Sequence, residues 1–241
     1  KRNDITNADY SDYSFFYDVA NGSGAYWYDS SGTPLANPSQ FILGKDGYKK
    51  QSHELRISSP QDKPLRFVAG LFFQRQEHNI FQRYQIDGLS PDISVPLWPN
   101  TIWLTNQKRI DRDQAFFTEI TYDITPKLSA LAGVRVYKYK NSLKGFFGFG
   151  AGYSSKYGEA LCFSPEQFNG SPCTNLDDVV DKSGSVPKFT LTYHIDSDRL
   201  VYATASKGFR PGGINRNGTV PPYKPDVLTN YELGWKTTWL D

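Results

Sequence analysis

In Tyr231-Glu232-Leu233-Gly234-Trp235-Lys236-Thr237-Thr238-Trp239, Tyr231, Leu233, Trp235, Thr237 and Trp239 share one face. Glu232, Gly234, Lys236 and Thr238 share the other. A period of two belongs to a β-strand, whose successive side chains point to opposite sides of the sheet. Working outward from this stretch, the same alternation recurs. Pro187, Phe189, Leu191, Tyr193 and Ile195 oppose Lys188, Thr190, Thr192 and His194. Leu128, Ala130, Ala132, Val134 and Val136 oppose Ser129, Gly133 and Arg135. Phe116, Thr118, Ile120, Tyr122 and Ile124 oppose Ala115, Glu119, Thr121 and Asp123. Between 199 and 207 the pattern is ambiguous: Leu200, Tyr202 and Thr204 compete with Val201, Ala203 and Ala205 for the apolar face.

A soluble antiparallel sheet with one wet face alternates in the same way. The connections argue for something else. Strands are expected at 10–18, 49–59, 64–78, 109–123, 127–141, 186–195, 199–207 and 227–239. The tight turns Pro60-Gln61-Asp62-Lys63, Ile124-Thr125-Pro126 and Asp196-Ser197-Asp198 carry the Pro and Asp that turns favour. The other connections, 19–48, 79–108, 142–185 and 208–226, are long and rich in Gly, Ser, Asn and Pro. Loops beyond about 12–15 residues are uncommon in compact domains. Long loops alternating strictly with tight turns are the arrangement of an antiparallel transmembrane β-barrel wall, with short periplasmic turns at one rim and long extracellular loops at the other. Glu119, Arg135, Lys188, Glu232 and Lys236 then face a wet interior, because a basic residue facing lipid at mid-membrane costs about 2–4 kcal/mol.

Composition agrees with this reading. Sixteen Tyr, sixteen Phe and five Trp make 15% of the 241 residues aromatic, and barrels place such rings in girdles at both membrane interfaces. The mean hydropathy is negative, as it is where only alternate strand residues touch lipid. No apolar run is long enough for a membrane-crossing helix. The formal net charge is +2, from 27 basic and 25 acidic residues spread along the chain, so nothing points to nucleic acid. The chain opens Lys1-Arg2-Asn3-Asp4 with no apolar segment behind it and contains no Met, which fits a processed or internal start.

Cys162 and Cys173 lie close together in a polar stretch. In an oxidising compartment such a pair reads as a disulfide closing a small loop, contributing on the order of 2–3 kcal/mol. No metal site is expected, since His53, His78 and His194 are far apart with no ligand spacing. No catalytic constellation is present either: there is no Gly-x-Ser-x-Gly elbow, and the histidines fall in strands. Gly145-Phe146-Phe147-Gly148-Phe149-Gly150 lacks the strand-to-helix context of a phosphate cradle and reads as an aromatic loop. Asp29-Ser30-Ser31-Gly32 reads as a turn, because later acidic calcium ligands are missing. Candidate ligand contacts sit in the long connections. Trp98, Trp103, Phe146, Phe147, Phe149, Tyr153 and Tyr157 offer faces for an aromatic chelate or a sugar, and Arg210 and Arg216 offer pairing for an anion. For any one of these rings, packing between loops or a place in the girdle is the simpler role.

Several stretches resemble TonB-dependent outer-membrane receptors. They are Ser52-His53-Glu54-Leu55-Arg56-Ile57-Ser58-Ser59, Phe67-Val68-Ala69-Gly70-Leu71-Phe72-Phe73, Ala115-Phe116-Phe117-Thr118-Glu119 and Leu131-Ala132-Gly133-Val134-Arg135. The most specific are the run from Leu200 through Lys207-Gly208-Phe209-Arg210-Pro211-Gly212-Gly213 and the run Asn230-Tyr231-Glu232-Leu233-Gly234-Trp235-Lys236. The resemblance covers most of residues 50–241. It implies a barrel of about 22 strands plugged by an N-terminal domain. It also implies uptake of a scarce nutrient such as a ferric siderophore, haem, cobalamin or a glycan, driven through the TonB system, in the bacterial outer membrane. Residues 1–241 are expected to be a partial barrel domain of about eight strands, without the plug and the remaining strands, with outer-membrane lipid around it and no cofactor. A passive porin-type barrel and a soluble glycan-binding β-sandwich are the alternatives.

Overall fold

The computed structural model describes residues 1–9, 27–149 and 166–239. Among them the structure is all-β. The strands are β1 (Arg2–Asp9), β2 (Gln40–Ser58), β3 (Leu65–Ile86), β4 (Thr101–Asp123), β5 (Leu128–Phe149), β6 (Leu176–His194), β7 (Arg199–Arg210) and β8 (Asp226–Thr237). They form one antiparallel sheet in which spatial order follows chain order from β1 to β8. The strands do not divide into two stacked sheets, so the sandwich alternative is excluded.

The three tight connections lie where their residues demanded. In the β4–β5 turn the Leu128 N–H donates to the Thr125 hydroxyl at 3.0 Å, and the Ile124 N–H donates to the Leu128 carbonyl at 2.8 Å. In the β6–β7 turn the Asp196 carboxylate accepts from the Asp198 N–H at 3.1 Å and pairs with Arg199. These contacts hold the Asp196 carboxyl below its ordinary value, with the Arg199 bond the largest cause. In the β2–β3 connection the Ser59 hydroxyl accepts from the Phe67 N–H at 2.9 Å.

Register fixes the faces, because directly opposed residues share a side. Leu71, Phe116 and Val136 stand in one transverse row on the outer face, and Ile120, Ala132, Phe189 and Ala205 stand in another. The ambiguity in β7 is resolved by its neighbours. Val201, Ala203 and Ala205 oppose Trp235, Leu233 and Tyr231 on the outer face, so Leu200, Tyr202 and Thr204 point inward with Lys236, Gly234 and Glu232. Leu65, Phe67, Phe116, Ile120, Phe189, Leu191, Leu233 and Trp235 are all solvent-exposed, which is tolerable only against lipid. The apolar part of each central strand spans about nine residues, the length a tilted strand needs to cross the hydrocarbon.

The inner face is wired by polar contacts. Arg66 grips Asp123 with two bonds, at 2.6 and 2.7 Å. Arg135 meets Asp113 at 3.3 Å, Lys188 meets Glu119 at 3.1 Å, and the Tyr202 hydroxyl donates to Glu232 at 2.5 Å. Three inward aromatics lie over a directly opposed glycine: Phe117 over Gly70, Tyr137 over Gly184, and Tyr202 over Gly234. A Cβ at any of these glycines would meet the aromatic side chain at 2.4–2.5 Å, so the missing side chain is what lets the ring lie flat along the wall.

Several expected boundaries are corrected. β3, β4 and β5 run to 22, 23 and 22 residues, well beyond the expected 64–78, 109–123 and 127–141. β2 begins at Gln40 and β6 at Leu176, earlier than expected, and the β3–β4 connection narrows from the expected 79–108 to 87–100. The reason is that apolar alternation ends where a strand leaves the lipid, whereas the backbone ladder continues above it. Gly145–Phe149 is therefore the end of β5, paired with Trp103–Gln107 of β4, and not a loop. The expected strand at 10–18 lies outside the described residues. β1 instead occupies Arg2–Asp9, a polar stretch that pairs with Phe41–Tyr48 of β2.

Candidate functional site

Above the lipid band the inner wall carries an aromatic patch. Tyr137 and Tyr139 of β5 point inward two residues apart, and both are buried. Beyond Ser206, β7 leaves β6 and pairs only with β8. Its Phe209 there stacks flat on Tyr137, with ring centroids 3.5 Å apart. Phe72 and Ala115 continue the patch, and the Arg135 guanidinium lies 5.0 Å over the Phe72 ring.

The β7–β8 connection, 211–225, folds back across this wall. Gly212 and Gly213 permit the entry, since a Cβ on either would fall 2.5 Å from Tyr223 atoms. The Gly212 N–H donates to the Tyr139 hydroxyl at 3.1 Å, and the Ile214 N–H donates to Asn141 Oδ1 at 3.0 Å. Ile214 is buried with Ile80, Leu143 and Leu176. Arg109 donates to the Ile214 carbonyl at 3.1 Å, and Gln107 donates to the Arg216 carbonyl at 2.8 Å. Arg216 itself reaches Gln82 of β3 at 3.3 Å. The connection thus crosses from β7 to β3 on the inside of the wall. Beneath it Gln107 Oε1, Arg109 Nε and Asp113 Oδ1 are buried and make no hydrogen bond within the described residues.

At the upper edge a second cluster joins Trp27, Ile86, Leu89, Ile93 and Ile102. The Tyr28 hydroxyl donates to Asp92 at 2.8 Å, pinning the segment before β2 to the β3–β4 connection. Bonds from Ser90 and then from Tyr28 hold the Asp92 carboxyl below its ordinary value. Asp29 is a turn residue as expected: its carboxylate accepts from the Ser31 and Thr33 N–H groups at 2.8 and 3.0 Å.

The sequence candidates do not converge on one place. Trp103, Phe147 and Phe149 meet on the inner face, with ring centroids 4.5 and 4.4 Å from Trp103. Phe146 and Trp98 lie on the opposite side, in or against the cluster of Val95, Leu104 and Cys173. Trp98 donates there to the Gly170 carbonyl at 2.9 Å. Arg210 pairs with Asp226, its opposite number on β8, at the base of the β7–β8 connection. Tyr153, Tyr157 and Cys162 lie outside the described residues, and Cys173 is not a free thiol. Sequence reasoning missed Tyr137, Tyr139 and Phe209. They sat in stretches read as strand wall or rim, and the signal available was an inward-facing tyrosine pair at i and i+2.

The described residues thus form a one-sheet meander with tight turns at one rim, a lipid-ready outer face and a connection folded onto a polar inner wall. The sequence matches the TonB dependent receptor-like β-barrel family over residues 2–241. The chain belongs to the TonB-dependent receptors. These are transporters of the Gram-negative outer membrane. Among solved structures it is similar to the ferric yersiniabactin uptake receptor FyuA from Yersinia pestis, with a TM-score of 0.64 at 17% identity. The match covers 87% of this chain and 29% of FyuA, so the chain spans less than a third of that receptor's length. At this identity the likeness speaks for the fold.

Proposed function

We propose that this chain forms part of a receptor that imports a scarce metal chelate across the outer membrane, a ferric siderophore being the ligand class to test first, with energy delivered through TonB. The observation that carries the reading is the β7–β8 connection folded onto the inner wall. It places the Tyr137–Phe209 stack beside buried polar atoms left unbonded among the described residues. Flat rings suit the aromatic faces of a chelate, and Arg109, Arg135 and Arg216 suit its negative charge. The name of FyuA supports the same ligand class. β1 and β8 each have one neighbour among the described residues, and an open edge is not viable in lipid. Further strands and a plug domain complete the barrel in this reading, and the plug carries the contact with TonB.

The test is accumulation of radiolabelled iron chelates by iron-starved cells carrying the intact receptor. Uptake that stops with a protonophore and drops with Phe209→Ala supports the proposal. Uptake of many unrelated solutes that ignores the protonophore would establish the passive pore instead.

A further inference from the structure

The β7–β8 connection carries an Asn-Gly pair at its tip. Asn217-Gly218-Thr219-Val220 forms a turn in which the Val220 N–H donates to the Asn217 carbonyl at 3.1 Å. Asn215 Nδ2 donates to the Pro221 carbonyl and closes the neck of this turn. Below the neck Ile214 is buried, and the Arg216 carbonyl accepts from Gln107 at 2.8 Å. The tip is therefore held in one shape, although Gly218 and Thr219 are exposed to water.

The Asn217 side chain takes two hydrogen bonds from a single residue. Its Oδ1 accepts from the Thr219 N–H at 3.0 Å and from the Thr219 hydroxyl at 3.0 Å. The first bond folds the side chain back over the Gly218 peptide, and Gly218 has no Cβ to keep the two apart. Both donors point at the atom on which negative charge gathers when the Gly218 nitrogen attacks Asn217 Cγ. That is the arrangement of an oxyanion hole. Asn169-Gly170 presents the same dipeptide without it. There the two residues take left-handed φ values of 49° and 79°. The Asn169 backbone carbonyl accepts from Asn106 at 3.1 Å, but its side-chain oxygen accepts no bond among the described residues.

We propose that Asn217 is a self-modifying site, at which the Gly218 amide closes onto the side chain and converts the residue to aspartate or isoaspartate. The Gly218 nitrogen gives its proton to water and forms a bond to Asn217 Cγ. Thr219 holds the oxyanion that results. The Cγ–Nδ2 bond then breaks, and Nδ2 takes up a proton and leaves as ammonia. Water opens the cyclic imide: attack at Cγ leaves aspartate, and attack at the Asn217 backbone carbonyl leaves isoaspartate. The net change consumes a water and releases an ammonia, with no oxidation or reduction. Either product puts a carboxylate next in sequence to Arg216, whose guanidinium reaches Gln82 at 3.3 Å on the inner wall. A weaker hold on an anionic chelate follows from that charge. This consequence rests on the proposed uptake, whereas the chemistry does not.

The test ages the intact receptor in detergent, in mildly alkaline buffer made with heavy-oxygen water, and maps its peptides by mass spectrometry. Asn217 should exchange its side-chain nitrogen for labelled oxygen severalfold faster than Asn169. In urea that unfolds the receptor, the two rates should converge. Thr219→Val removes the hydroxyl donor at an exposed position and should slow Asn217 severalfold while Asn169 keeps its rate. Thr219→Ser should restore the parental rate. Equal rates at the two asparagines in the folded receptor, or a rate at Asn217 that Thr219→Val leaves unchanged, overturns the proposal. Iron-chelate uptake by Asn217→Asp reads the consequence separately. Reduced uptake supports it, and unchanged uptake overturns that consequence alone.

Discussion

Lys188 on β6 reaches across the whole width of β5 to Glu119 on β4, closing to 3.1 Å over Gly133. The three residues form one transverse row on the inner face. Gly133 is the gap that makes the contact possible, since a Cβ there would lie 3.0 Å from Glu119 Cγ and 3.4 Å from the Thr118 carbonyl. Both charged side chains are more than 40% exposed, so the pair contributes at most about 1 kcal/mol. A double-mutant cycle with Glu119→Gln and Lys188→Met, followed by urea unfolding of the intact receptor in detergent, should give a coupling of about 0.5 kcal/mol. In a Gly133→Leu background the coupling should vanish. A coupling that survives in that background would show that the pair does not depend on the gap.

Leu191 sits in the outer row with Ala130, Ala203 and Leu233, well inside the apolar band. Leu191→Arg should lower barrel stability by about 2–4 kcal/mol, while Thr190→Arg, one residue away on the wet face, should cost far less. Heat-modifiable mobility across a urea series reads both. Equal losses at the two positions would reverse the assignment of faces.

Ile214 anchors the β7–β8 connection by filling the space among Ile80, Leu143 and Leu176. Ile214→Ala removes buried methylenes at a site worth about 2–5 kcal/mol, and only the hydrogen bonds to the wall would then hold the connection in. Limited proteolysis should cut within 215–220 at least tenfold faster in the variant, with the melting of the strands unchanged. Ile214→Val should behave nearly as the parent. Cleavage at the parental rate would mean that the bonds to Tyr139 and Asn141 suffice.

The Tyr28–Asp92 contact predicts a pH response at the upper edge. Asp92 titrates below the usual carboxylate range in the folded protein, so its contribution is present at neutral pH and is lost as pH falls through its folded value. Amide protection factors in 27–35 and 89–95, corrected for the intrinsic exchange rate at each pH, should fall on acidification below the free carboxylate value of about 4, and Asp92→Asn should flatten the response. A parent protein whose protection factors there respond to acid just as those of Asp92→Asn do would remove Asp92 from the latch.

Legibility followed the lipid. Where a strand crosses hydrocarbon, as at 115–124 or 187–195, alternate residues must be apolar and the faces could be read directly. Above the membrane both sides are wet, so Asn106, Gln107 and Lys108 gave no period although they lie in the middle of an unbroken ladder. The strands therefore run further above the membrane than the apolar period shows, at the starts of β2, β4 and β6 and at the ends of β3 and β5. β1 was invisible for the same reason: Arg2-Asn3-Asp4 carries no apolar face, and only pairing with β2 makes it a strand.

The sequence by itself determined the membrane-crossing segments, their two faces and the rim that carries the tight turns, because each follows from period and turn chemistry within a few residues. Tertiary structure alone decided which long-range partners meet. Nothing local in 211–225 says that Ile214 will settle on β3 and β5, and nothing local in β3, β4 or β5 says that Arg75, Arg112 and Lys140 will stand abreast. Those juxtapositions come from register between strands far apart in the chain, and register is fixed only when every strand pairs at once.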